Sequence, residues 1–361
     1  MMSNQMFKIN NDIALELYSL TNDSSLKGYG IKRLIKTGEN LQSGIIEIPS
    51  AVSRVPGDSP AFIREIASDA LNGIKCDELI LPESLTKMCS LSFSGVQVGK
   101  LTFNGEVKVI PSECFKNSVI GEIIFKYPKK VAIVAYHAFS DIKGMKTFNW
   151  PSRCTHVPAY CFESSQIAQI YGLENVTEVS TGAFSEIKGL KTLKWPENCT
   201  TIPCRCFAGS SIESITGIEN VVAIDISAFA YTPNLKEFNW PKDRNIPECC
   251  FYGSGINCIH HTNEILSVGD SAFAETSLST ISLPNVIRFG RRCFGNSVVE
   301  SFSIGGNNSD MLFLYSNTFP DKTVDLRAYS HINILIVNSN DDYSNLKFGF
   351  DSIVELCNDI K

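Results

Sequence analysis

The chain repeats itself every 21 to 25 residues, and that period constrains its fold more than any other feature. Phenylalanine marks the beat at Phe93, Phe115, Phe139, Phe162, Phe184, Phe207, Phe229, Phe251, Phe273, Phe294 and Phe319, with Leu71 one step earlier. Five residues before each stands an apolar residue, from Ile66, Met88 and Ile110 through Val268 and Phe289 to Leu314. The residue just before each is Ala, Cys, Ser or Thr. Between successive beats runs a segment of the form L-x-x-L-x-L/W-P, as at residues 190–196 and 278–284. Its central apolar positions include Leu79, Leu101, Ile123, Phe148, Ile170, Leu193, Ile215, Phe238, Ile259 and Ile281. Columns in phase over about a dozen coils are not a chance pattern.

Alternating apolar residues in L-x-L predict a short strand with one buried face. Proline or glycine then stops the ladder and turns the chain. The second apolar site and the small–Phe pair enter from the return side. One coil cannot bury its own face, so coils must stack, with strands roughly 4.8 Å apart. The fold predicted is a repeat solenoid of about 12 short-strand coils. Length alone would suggest two or three domains, and the repeat overrides it. A second period is nested in the first. Trp150, Trp195 and Trp240 stand 45 residues apart, each followed by proline, and Gly172 and Gly217 hold the same column between them. The small column alternates in step, with Cys114, Cys161, Cys206, Cys250 and Cys293 against Ala138, Ala183, Ala228 and Ala272. The unit of duplication is therefore a pair of coils, with the indole expected to pack beside bare backbone.

The ends depart from the repeat. We read residues 1–43 as an N-terminal cap, 44–319 as the solenoid and 320–361 as a C-terminal cap. Residues 13–20 suggest a short helix, Ile45 to Pro49 an early strand, and residues 50–60 an insertion. Val324 and residues 332–337 read as strands, and 350–356 as a capping helix.

The combination L-x-x-L-x-L-P, an aliphatic residue, then A/C-F at a spacing of 22 to 23 resembles the BspA-like (Treponema pallidum type) leucine-rich repeats, over residues 66–319. The resemblance implies a curved solenoid of leucine-rich-repeat type with a parallel β-sheet on its concave face. Family members are known as bacterial surface adhesins and as expanded sets in parasitic protists, so the resemblance implies binding. It names no ligand, because the matching positions are core.

Net charge is −6, which gives no attraction for phosphate backbones or acidic lipids. No run approaches 18 apolar residues, so no membrane insertion is expected. The N-terminus lacks a basic stretch followed by an apolar run, which predicts a cytoplasmic protein, whereas the family resemblance points to the cell surface. No Walker loop, dinucleotide fingerprint, nucleophile motif or H-E-x-x-H is present, so neither an enzyme nor a cofactor is expected. The cysteines number 13. Those of the small column recur every second coil, about 9 to 10 Å apart at strand spacing, beyond the ~7 Å that a disulfide spans. They read as buried small hydrophobes. Cys154 and Cys199 occupy matching places and are likewise too distant to bond. Cys258, His260 and His261 form the densest set of potential metal ligands, and a cysteine/histidine metal-binding protein is one alternative. Asn22, Asn175, Asn198 and Asn307 head glycosylation sequons and read as turn asparagines. The tryptophan column reads as inter-coil packing, with part of each indole accessible at an edge.

What remains is the open face of the sheet. Its outward positions are Thr147 and Asn149, Thr192 and Lys194, Ser214 and Thr216, Glu237 and Asn239, and Cys258 and His260. Lys146, Lys191 and Lys236 stand beside them at the 45-residue period. Such a polar array suits recognition of a protein or glycan by a monomeric, non-enzymatic scaffold.

Overall fold

The computed structural model describes residues 5–9, 12–20, 28–37, 44–53 and 59–298, and six further strands between Ser301 and Glu355. The protein is a β-solenoid of about ten turns with parallel bridges and little helix. It divides into two compact units, Met1–Glu178 with Ile187–Leu190, and Val179–Glu186 with Lys191–Lys361.

The first unit begins with an antiparallel meander of Gln5–Lys8, Ile13–Ser19 and Gly28–Lys36. The helix expected over residues 13–20 is therefore a strand. Ile13, Leu15 and Leu17 are buried while Glu16 and Tyr18 take the other face. That is a period of two, and it outweighs the helical spacing of Ile13 and Leu17. On the polar face Glu16 pairs with Lys32. The Tyr18 hydroxyl donates to Glu65 Oε1 at 2.9 Å. Gly28–Lys36 then pairs in parallel with Ala61–Ile66, which ties the meander to the coils.

Four strands follow in one continuous parallel sheet: Ile45–Glu47, Lys75–Leu81, Gln97–Phe103 and Val119–Phe125. Leu79, Leu101 and Ile123 are in register. Further on, among the described residues, Thr147–Asn149 forms a two-stranded sheet with Gln169–Tyr171. Phe93, Phe115, Phe139 and Phe162 form a ring column with neighbouring centroids 5.3 to 5.5 Å apart.

In the second unit the face strands come in twos: Thr192–Lys194 with Ser214–Thr216, Glu237–Asn239 with Cys258–His260, and Thr280–Leu283 with Ser301–Ile304. Its other side carries a six-stranded parallel sheet from Asn245–Ile246 to Val354–Glu355. The last of these strands lies within the expected capping helix, which is corrected to strand there; residues 350–353 lie outside the described residues. The strands expected at Val324 and near residue 332 are Val324–Asp325 and Asn333–Ile336. The ring column runs from Phe184 to Phe294, with centroids 5.4 to 5.7 Å apart and near-parallel planes. Phe319 lies outside the described residues.

A third ladder runs through the turns that hold these rings. Ser227, Phe229 and Tyr231 donate their amides to the carbonyls of Glu248, Cys250 and Tyr252 in the next coil. The same alternate-residue pattern joins Glu113, Phe115 and Asn117 to Tyr136, Ala138 and Ser140 in the first unit. The geometry requires left-handed backbone on both sides of the ring, at Ser227 (φ 57°) and Tyr231 (φ 56°). A left-handed non-glycine residue costs roughly 1–2 kcal/mol, and two inter-coil hydrogen bonds beside it offset that. Residues as different as Tyr160, Glu186 and Arg292 fill these positions, so composition gave no sign of them.

The tryptophans are fully enclosed, at 3%, 1% and 3% exposure for Trp150, Trp195 and Trp240. Each indole N–H donates to a carbonyl of its own following turn: Cys154 at 2.8 Å, Cys199 at 3.0 Å and Asp243 at 2.7 Å. The accessible edge expected of them is thus not present, because the only polar atom of each ring is already satisfied inside. The alternating glycines answer to backbone rather than to ring size. Gly172 and Gly217 have φ of +81° and +77°, and an added Cβ would lie 2.9 and 3.1 Å from the carbonyl oxygens of Trp150 and Trp195. His261 takes the same place after Trp240, also left-handed at φ 61°.

Candidate binding face

The short face strands place one side chain inward between two outward. Phe148, Leu193, Ile215 and Phe238 are buried, and the residues flanking each of them are exposed. In the first unit Lys146, Thr147 and Asn149 stand exposed together. Tyr171, cross-strand from Asn149, joins them at 51% exposure, its hydroxyl bonded to Gln169 Oε1 at 2.6 Å. In the second unit Lys191, Thr192, Lys194, Lys236, Glu237, Asn239 and His260 are all exposed. Tyr171, Glu213 and Asn234 were not anticipated. Tyr171 borders the central apolar residue of its coil, and Glu213 takes the column that Lys191 and Lys236 hold in theirs; those positions are the signal.

Ion pairs order part of this surface. Lys191 Nζ lies 2.8 Å from Glu213 Oε1, and Lys194 Nζ 3.0 Å from Glu197 Oε1. His260 Nε2 is 3.6 Å from Glu237 Oε2. Three of the hydrogen-bonded strand pairs are seeded the same way. The Lys146 carbonyl accepts from the amides of Ala168 and Gln169, that of Lys191 from Glu213 and Ser214, and that of Lys236 from Asn257 and Cys258. Ser214–Thr216 and Glu237–Asn239 belong to different pairs and do not share a ladder. The seam between them is a groove of about 610 Å³, bordered by Glu213, Ser214, Thr216, Asn234, Lys236, Glu237, Asn239 and His260, over Ile215 and Phe238.

The conspicuous cysteines lie elsewhere. Cys114, Cys161, Cys206, Cys250 and Cys293 are fully buried, and burial pushes their thiols well above the usual range. Burial also raises Cys154 to about 11, where its thiol contacts the Val131 carbonyl. Among the described residues no two cysteines form a disulfide. Cys258 Sγ lies 3.8 and 3.6 Å from the two ring nitrogens of His260, while His261 turns off in its left-handed bend. Among the described residues no three His, Cys, Asp or Glu side chains are grouped to hold a metal ion. Asn175 donates to the Ser152 carbonyl, while Asn22 and Asn307 lie outside the described residues. Among the described residues no helix is long and apolar enough to cross a membrane.

A stacked coil with a short face strand, an inward Phe after a small residue and a turn ladder defines the leucine-rich-repeat class. Residues 58–165, 123–236 and 200–325 match the BspA type leucine rich repeat region, in 6 copies. The chain belongs to this family. Among solved structures it is similar to a leucine rich cell surface protein from Faecalibacterium prausnitzii, at 16% identity and a TM-score of 0.50 over 93% of this chain and 85% of that one. It is also similar to a leucine-rich repeat protein from Bacteroides ovatus, at 17% identity and a TM-score of 0.48 over 92% of this chain and 100% of the other. The pneumococcal vaccine antigen PcpA matches at 14% identity and a TM-score of 0.46, over 99% and 100%. At such identities the likeness is one of fold. No curated protein matches the sequence.

Proposed function

We propose that this protein is a non-enzymatic binding scaffold that engages another macromolecule through the open face of its short strands. One observation carries the reading: Thr192, Lys194, Glu237 and Asn239 are held outward on rigid strands whose inward neighbours do all the packing. Exposed side chains displayed on a regular lattice of strands are what a repeat protein uses for recognition. Likeness in fold to a protein described as a cell surface protein supports display at that location, where a binding face would act as an adhesin. The test is to change Thr192, Lys194, Glu237 and Asn239 together to alanine. Partner capture from the native host should be abolished with the thermal transition unmoved; capture at the wild-type level sinks the assignment. Fractionation of that host checks the surface placement.

A further inference from the structure

We infer that the seam groove between Ser214–Thr216 and Glu237–Asn239 is a subsite for an uncharged oligosaccharide. The inference rests on the binding role proposed above and names the ligand of the same face. Its origin is a break in the ladder. The step from Leu193 to Ile215 is 22 residues and joins two hydrogen-bonded strands; the step from Ile215 to Phe238 is 23 and joins none. No strand ladder closes the seam, so the side chains that border it meet whatever occupies it.

The lining then selects by chemistry. Sugar hydroxyls both donate and accept, and the groove offers both: carboxylate acceptors at Glu213 and Glu237, amides at Asn234 and Asn239, and donors at Lys236 and the Ser214 and Thr216 hydroxyls. Its charges cancel. Glu213 is paired with Lys191, and Lys236 balances Glu237, two positive against two negative, so no net field draws in an ion. A protein partner needs a different surface. Binding energy at protein interfaces concentrates on Trp, Tyr and Arg in desolvated pockets; none of the three borders this groove. The apolar floor is not available as an anchor either, since Ile215 and Phe238 are 9% and 3% exposed.

The test is a printed array of neutral and sialylated oligosaccharides probed with the full chain, followed by calorimetry on the neutral hits. Neutral oligosaccharides should bind, and binding should persist in high salt, where screening removes exposed charge–charge attraction. Asn239→Ala and Glu237→Gln, both exposed positions that leave the fold intact by circular dichroism, should each weaken binding at least about tenfold, the scale of 1.4 kcal/mol. An empty array, binding confined to sialylated glycans and lost in salt, or neutral binding unaffected by both variants overturns the inference. If the array fails while the fourfold alanine variant still loses a captured protein, the open face binds but not sugar. If that variant loses nothing, the binding role itself falls.

Discussion

The two parts of the sheet face solve the same stacking problem differently. In the first unit, seven-residue strands at Lys75–Leu81, Gln97–Phe103 and Val119–Phe125 share one unbroken ladder. Their steps from Leu79 to Leu101 to Ile123 are equal at 22 residues. Lys100 pairs with Glu78 across adjacent strands. Gly99 and Gly121 bring the backbones so close that an added Cβ would stand 2.7 Å from the Asp77 oxygen and 2.5 Å from the Gly99 oxygen. In the second unit the strands are short, the ladder is broken every second coil, and a groove opens at one break. The comparison teaches that continuity consumes polar groups and interruption releases them. Step length is not the whole cause. Ile259 to Ile281 is also 22 residues, yet its strands do not pair, and there the left-handed His261 and the turn Thr262–Glu264 intervene.

The largest effect should come from the interrupted region. Trp195→Ala removes a buried ring and leaves the Cys199 carbonyl without its donor; a loss of about 3–5 kcal/mol is expected by urea unfolding. Hydrogen exchange should localise it to Thr192–Lys194 and Ser214–Thr216. A loss below the cost of an exposed substitution would mean that tryptophan does not organise the paired strands. Next comes the continuous region. Gly121→Val should cost about 1–3 kcal/mol through overpacking against Gly99, whereas Ser214→Val on the broken face should cost less than about 0.5 kcal/mol. Equal effects would erase the distinction between the two ladders.

A smaller effect is pH-dependent and belongs to the meander. Burial alone would raise the Glu65 carboxyl, but hydrogen bonds from Lys87, Cys89 and Tyr18 hold it below the usual carboxylate range. A depressed folded pKa stabilises at pH above the unfolded value and is lost as pH falls through the folded one. Wild type should therefore exceed Glu65→Gln in melting temperature at neutral pH, with the gap closing below about pH 4.5. A gap that persists in acid would show that the variant acts through packing. Least of all, Lys100→Ala should lower the melting temperature only slightly, as an exposed pair, and high salt should reduce the difference; a salt-independent loss would point to its aliphatic stem instead.

The sequence carried the coil, its inward residues and the 45-residue pair, because a repeated packing environment imposes the same residue type each time. It also carried the outward positions of the face, since alternation about a buried residue leaves no other direction. Residues 13–20 are ambiguous in sequence because Ile13, Leu15 and Leu17 satisfy a strand while Ile13 and Leu17 also satisfy a helix. The partners that decide between them, Lys32 and Glu65, are remote in sequence.

By itself, then, the sequence determined that coils stack and which side chains lie between them, since burial selects residue type. Only the tertiary structure decided that each indole is sealed by its own turn, that alternate amides build a ladder through left-handed residues of any kind, and that the face splits into pairs with a groove at the seam. Those features depend on hydrogen bonds made by backbone groups, which are the same in every residue, so the residues that supply them bear little mark of the role.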